Sequence, residues 1–215
     1  TEPSALEPRV LNQPGFGNMN VRDYDVVALS NVANLSESDR RLLAEFVQNG
    51  GGAMIFLGDR VNSSLYNRDL YESQPSLLPA RLTSVESGKA TLDPTSLDHP
   101  ALQRFRGAQD VDVNTAEFDK YFKLDPKDGD KTVRVMARFT NGAPAMVEKS
   151  FGLGKVILVA STANTEWNSL PLKPVFLPLI HQMVGYLASG TDGTRNGLVG
   201  EPLVKPLSLS EAGRK

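Results

Sequence analysis

The stretch YDVVALSNVANLSESDRRLLAEFVQNGGGAMIFLGD, residues 24–59, decides the fold. Val26, Val27, Ala28 and Leu29 form a short continuous apolar run, the pattern of a strand covered on both faces. Ser36 offers a side-chain oxygen to cap a helix, and Glu37 and Asp39 place negative charge in its first turn, where backbone N–H groups lack partners. Leu42, Leu43, Phe46 and Val47 recur at helical spacing and predict one apolar stripe. Gly50 can take the left-handed conformation that stops the helix. Residues 53–57 read as a second buried strand, ending abruptly at Gly58-Asp59. Strand, helix and strand with short connections predict a βαβ unit, which is right-handed almost without exception.

Outward from this unit, the composition sets bounds. A chain of 215 residues with 40% hydrophobic and 22% charged residues is an ordinary globular composition, long enough for one substantial core with or without a small appendage. A net charge of −2 gives no electrostatic reason to expect a nucleic-acid partner. No apolar run reaches the roughly 18 residues needed to span a bilayer. The longest, residues 174–188, is interrupted by His181 and Gln182 and predicts a closing core helix starting at Pro174. The chain has no cysteine, which removes disulfides, thiolate metal sites and a cysteine nucleophile together. It starts without Met and ends in the polar stretch SLSEAGRK, so it is expected to be a piece of a longer protein.

Residues 1–23 read as an irregular lead-in with a short strand at 9–11. Gly15-Phe16-Gly17 lacks the third glycine and the preceding strand of a dinucleotide motif and reads as a loop. Beyond the βαβ unit, a helix is expected over 61–71, burying Leu65, Tyr66 and Leu70. A turn at 75–79 leads to Ala80-Arg81-Leu82, then come a strand at 89–92, a turn of helix from Asp98-His99-Pro100, and a polar loop at 107–116. From Phe118 the pattern turns to β: a strand at 121–124, a turn at 125–130, and a half-exposed strand at 133–138 in which Val133, Val135 and Ala137 alternate with Arg134, Met136 and Arg138. Asn141-Gly142 is a hairpin signal leading to a strand at 145–148. Gly152 and Gly154 then turn the chain into the buried run VILVA. This predicts an antiparallel meander whose last strand returns to the core. From Gly190 the chain reads as linker, and 200–204 as the first strand of a following domain. The expected domains are therefore 1–190 and 191–215.

Open α/β sheets bind ligands beyond the carboxyl ends of their strands. That rule singles out Asn31 after the first strand, Gly58, Asp59 and Arg60 after the second, and Asn164, Glu166 and Trp167 after VILVA. Asp59 is an acid at a strand-to-helix turn, where it would either line the crevice or cap the helix at Val61. Trp167 beside Glu166 could hold a sugar or peptide, or sit in the core. Asp93, Asp98 and His99 fall within seven residues of one another, but no second His lies nearby, and turn chemistry explains them better than a metal. Asp125, Asp128 and Asp130 lack the terminal Glu of a calcium loop. There is no G-x-S-x-G elbow, and Gly152-Leu153-Gly154-Lys155 lacks phosphate-loop spacing. No catalytic residue, metal or cofactor is expected.

YDVVALSN, a helix, and then NGGGAMIFLGD resemble the class I glutamine amidotransferase-like fold, in its trehalose-utilisation-like and membrane-anchored branches. GGGAMIFLGDRVN, LLPARL, LDHPAL and FGLGKVILVASTANTEWNSLPLKPVFLPLIHQMVGYLA look more closely like the extracytoplasmic region of bacterial proteins with an aerotolerance-regulator (BatA-type) N-terminal membrane domain. The similarity runs over residues 24–188. It implies a flavodoxin-like three-layer sandwich with a mostly parallel sheet and an inserted antiparallel meander. It also implies a location on the periplasmic side of the cytoplasmic membrane, held there by segments outside this sequence. Leu57 falls where the family carries its catalytic cysteine, and 162–166 fall where it carries His-Pro-Glu, of which only Glu166 remains. A leucine cannot attack a carbonyl. The expectation is a non-catalytic binding or scaffolding domain whose partners are proteins or neighbouring domains. Two alternatives stand beside it: an enzyme using Asp59 with Glu166 or His99 as acid and base, and a carbohydrate- or peptide-binding module around Trp167.

Overall fold

A computed structural model describes residues 6–12, 16–17, 19–106 and 113–189; Gly15, residues 107–112 of the expected loop, and the expected linker and following strand lie outside them. The elements in order are β1 (Val26–Ser30), α1 (Glu37–Gln48), β2 (Gly52–Phe56), the short α2 (Ser63–Tyr66), β3 (Ala80–Ala90), β4 (Phe118–Pro126), β5 (Val133–Arg138), β6 (Pro144–Phe151), β7 (Gly154–Val159) and α3 (Phe176–Ala188). It is an α/β protein. Five strands form one mixed sheet in the order β1-β2-β7-β6-β5, and β3 pairs with β4 in a separate two-stranded sheet.

The βαβ unit forms as its sequence predicts, except that β1 is an edge strand covered on one face only: Val27 and Leu29 are buried, whereas Ala28 and Ser30 are exposed. β1 pairs in parallel with β2, and β2 in parallel with β7, so three parallel strands share one carboxyl edge. Every residue of β2 is buried. At the start of α1 the Ser36 hydroxyl accepts from the Asp39 backbone N–H at 3.1 Å, and the Asp39 carboxylate accepts from the Ser36 N–H in return. This reciprocal cap satisfies two N–H groups that the helix itself cannot.

The sheet is mixed rather than mostly parallel. β6 runs antiparallel to both β5 and β7, so antiparallel pairings are as numerous as parallel ones. The meander is no insertion: β7 is its last strand and also the sheet's central strand. What is inserted between the βαβ unit and the meander is the antiparallel β3–β4 pair. The strand expected at 89–92 is the end of a longer one that starts at Ala80 and stops at Ala90, its pairing with β4 interrupted by two irregularities in register. On β5, register slips between Val135 and Ala137, which leaves Met136 as the extra residue and turns it into the core at 0% exposure. Strict alternation would have put Met136 outside.

The expected helix over 61–71 divides into α2 and a π turn (Asn67–Tyr71). Tyr66 and Leu70 are buried as expected, while Leu65 is only half-buried. The Asn67 side chain explains the break: it donates to the Leu82 carbonyl at 2.7 Å and accepts from the Leu82 N–H at 2.8 Å, docking the turn on β3. α3 begins two residues after Pro174 and buries Leu179, Met183 and Leu187. No described helix is long and apolar enough to cross a membrane.

Candidate functional site

The carboxyl edge of β1, β2 and β7 is built from three loops. After β1, Asn31 adopts φ +51°, a left-handed conformation that asparagine tolerates better than most residues. Its backbone N–H continues the ladder to the Phe56 carbonyl at 2.9 Å. This conformation aims its amide across to the next loop. There Nδ2 donates to Asp59 Oδ1 at 2.7 Å, and Oδ1 accepts from the Arg60 N–H at 3.0 Å. Gly58 is required for this approach, since a Cβ there would lie 2.5 Å from Asn31 Cγ.

Asp59 therefore does not cap the following helix. Asn62 does, accepting from the Leu65 N–H at 3.1 Å, because the helix starts at Ser63 rather than Val61. Asp59 and Arg60 are exposed. Leu57, at the position where the resemblance would place a nucleophile, is 0% exposed and donates its N–H to the Val159 carbonyl.

After β7, Ser161 is fully buried and donates its hydroxyl to the Lys120 carbonyl at 3.0 Å. Asn168, which sequence reasoning passed over, organises this loop. Its Nδ2 donates to the Thr162 carbonyl at 2.8 Å, and its Oδ1 accepts from the Leu170 N–H at 3.0 Å. Asn164 is exposed, and its Oδ1 accepts from the Glu166 N–H on the same loop. Glu166 is exposed. Trp167 is 5% exposed, with its indole 5.7 Å from the Phe122 ring, and its carbonyl accepts from the N–H groups of Asp119 and Lys120. It is a packing residue that docks β4 on the sheet, and it offers no open face to a sugar.

Of the residues expected here, the structure bonds Asn31, Gly58, Asp59 and Arg60 into one cluster and Asn164 with Glu166 into another. No hydrogen bond or ion pair joins Asp59 to Glu166 among the described residues. The Asn31 and Asn164 side chains are spent on groups of the edge itself. Nucleophilic chemistry at a serine needs a base beside its hydroxyl. Ser161 has a carbonyl beside it instead.

The other titratable cluster lies on the sheet face under α3. His99 and Glu148 are 1% and 6% exposed, and Nε2 and Oε2 stand 3.5 Å apart. That is too loose for a good hydrogen bond, and both atoms are buried without a hydrogen-bond partner. The Tyr186 ring from α3 meets His99 edge-on at 5.1 Å, and the Lys155 ammonium lies 4.7 Å over the same ring. Burial would raise the Glu148 carboxyl. Contact with His99 and the Tyr186 hydroxyl, with added attraction from Lys155, outweighs burial and holds the group below its ordinary range. Tyr186 is pushed up, by burial first and then by Glu148. His99 thus faces neither Asp93, which caps Thr95, nor Asp98, which pairs with Arg106. Glu148 was not singled out in the sequence. The available signal was its place on β6, an interior strand whose faces are both covered.

No family model matches this chain, and no curated protein does. Solved structures do. A Salmonella typhimurium protein described as cytoplasmic superposes with a TM-score of 0.61 at 16% identity, covering 78% of this chain and 73% of that one. A ThuA-like protein of Bacteroides uniformis gives 0.51 at 11% identity, covering 81% and 75%. A β-galactosidase of Bacillus circulans sp. alkalophilus gives 0.51 at 15% identity; the match covers 82% of this chain but 24% of the enzyme. Likenesses at these identities concern the fold alone, and the ThuA-like one fits an amidotransferase-like α/β architecture.

Proposed function

We propose that this chain is a non-catalytic amidotransferase-like domain that binds or scaffolds protein partners or neighbouring domains. The observation that carries this reading is the carboxyl edge: a buried Leu57 where a nucleophile would stand, followed by a loop locked by the Asn31–Asp59 and Asn31–Arg60 hydrogen bonds. The exposed Asp59, Arg60 and Glu166 then serve as a recognition rim. In the three-layer arrangement we infer, α1 and α3 cover opposite faces of the sheet. Successive residues Gly51 and Gly52 support it, since their Cβ positions would strike Phe46 of α1 and Leu187 of α3 respectively.

The matched β-galactosidase, in which the similar region is about a quarter of the chain, supports a role as one part of a larger protein. Attachment to the membrane in a BatA-type protein, on its periplasmic side, is part of the proposal and rests on the sequence resemblance alone. An enzyme built on Asp59 and Glu166 gains no support from their separate, exposed settings. A binding module on Trp167 gains none from its burial.

Photo-crosslinking tests the scaffold reading. A benzophenone amino acid is placed at position 60 of the full-length protein in its own cells, with position 123, exposed on β4, as control. The expected result is a discrete adduct, to another protein or to another segment of the same chain, from position 60 only. Identical patterns from both positions, or none from position 60, would refute a recognition rim at this edge.

A further inference from the structure

A cleft of about 690 Å³ opens at the opposite end of the sheet from the carboxyl edge, between the segment after the π turn, the β4–β5 turn and the end of β6. Its size is that of a small-molecule site. Tyr71, Pro75, Leu78 and Phe151 give it apolar walls, and Lys149 and Lys127 bring two ammonium groups to it. The cleft's carboxylates are already engaged. Glu72 pairs with Arg81, and Asp130 Oδ1 accepts from both the N–H and the hydroxyl of Thr132, at 2.9 and 2.6 Å. The ammonium groups are not. Lys149 Nζ, with three protons to donate, has one bond, to Ser76 Oγ at 3.1 Å. Among the described residues no carboxylate lies within ion-pair distance of either lysine.

We propose that this cleft binds a small organic anion, its carboxylate or phosphate group on Lys149 and Lys127 and its apolar body against Tyr71 and Phe151. Lys149 is half-buried. Its ammonium has lost part of its hydration without a carboxylate in ion-pair contact; burial lowers its proton affinity, and Asp130, farther off, acts to raise it. A bound anion would make the direct ion pair that Asp130 does not, at a half-buried site where the attraction is stronger than at an open surface. Three chain segments far apart in sequence converge on the cleft, so it exists only in the folded protein.

The test is an amide-shift NMR titration of the whole chain at fixed ionic strength, with phenyl phosphate, benzoate and the uncharged benzyl alcohol as probes. Saturable shifts are expected at 71–79, 127–133 and 149–152 with at least one of the two anions. The tighter anion identifies the headgroup. Lys149→Gln should weaken binding at least tenfold, Lys149→Arg should retain it, and Lys173→Gln, remote from the cleft, should leave it unchanged. The spectrum of each variant reports whether it remains folded. Equal binding of benzyl alcohol, shifts that never saturate, or undiminished binding by folded Lys149→Gln would each overturn the proposal.

Discussion

Gly154→Ala is expected to destabilise the protein by about 3 kcal/mol or more, the upper range for overpacking a core. A Cβ at this position would lie 2.2 Å from the Gly51 carbonyl oxygen and 2.4 Å from that of Val47. Both obstacles are backbone, so no side chain can rotate away. They also sit at the junction where α1 ends and β2 begins, while Gly154 opens β7 and pairs with Phe151 across the hairpin. Relief would require shifting the helix end away from the sheet, at the expense of a buried stripe that includes Leu43 and Val47.

Gly142→Ala separates this steric effect from backbone strain. Gly142 has φ +85° in the loop of residues 139–143 between β5 and β6, but nothing lies within 4 Å of its Cβ position. Its replacement should cost only about 1 kcal/mol, the left-handed penalty for a residue with a side chain. Urea denaturation of the two variants checks both. Equal midpoints would show that the helix end yields freely to β7.

Glu148→Ala is the second large effect, with an expected loss of about 3–5 kcal/mol, as for removing one partner of a buried charged pair. The alanine leaves a void on an interior strand and strips His99 and the Tyr186 hydroxyl of the group they face. A double variant, His99→Leu with Glu148→Leu, should recover most of the loss, because buried ionic groups replaced together by apolar ones of similar size are often tolerated. Glu148→Gln gives the pH dependence. The folded protein holds this carboxyl below its ordinary value of about 4.5, so its ionised form stabilises the fold above that pH. The contribution fades as pH falls through the lowered folded value. The stability gap between the native protein and Glu148→Gln should therefore be widest near neutrality and shrink in acid. A gap that widens in acid would show that burial, not the His99 and Tyr186 contacts, governs Glu148.

The contrast between these sites shows what the sequence made legible. β1, α1 and β2 follow from local pattern because each element carries its own signal: an apolar run, a capped stripe, a glycine stop. The meander was readable for the same reason, down to Asn141-Gly142. β3 was not. Its centre is polar, Gly88 at φ +135° reads as a break, and its irregular pairing with β4 destroys the period of two on which a strand is recognised. Met136 was misplaced by the same device.

At the carboxyl edge, the residues were located correctly but their roles were not. Asp59 and Asn62 are both good capping types, and local sequence cannot choose between them. The choice is made by Asn31, which engages Asp59 from another loop. Glu148, His99 and Asn168 carry no local signal either, since their burial is set by which strands and helices come to cover them.

The measurement that tests the central claim most directly is turnover. The purified chain is assayed for ammonia release from glutamine and for hydrolysis of nitrophenyl esters and glycosides, beside the double variant Asp59→Asn with Glu166→Gln. Rates at the buffer background for both proteins are the predicted result. Turnover by the native chain that the double variant abolishes would contradict it, and would make the carboxyl edge an active site.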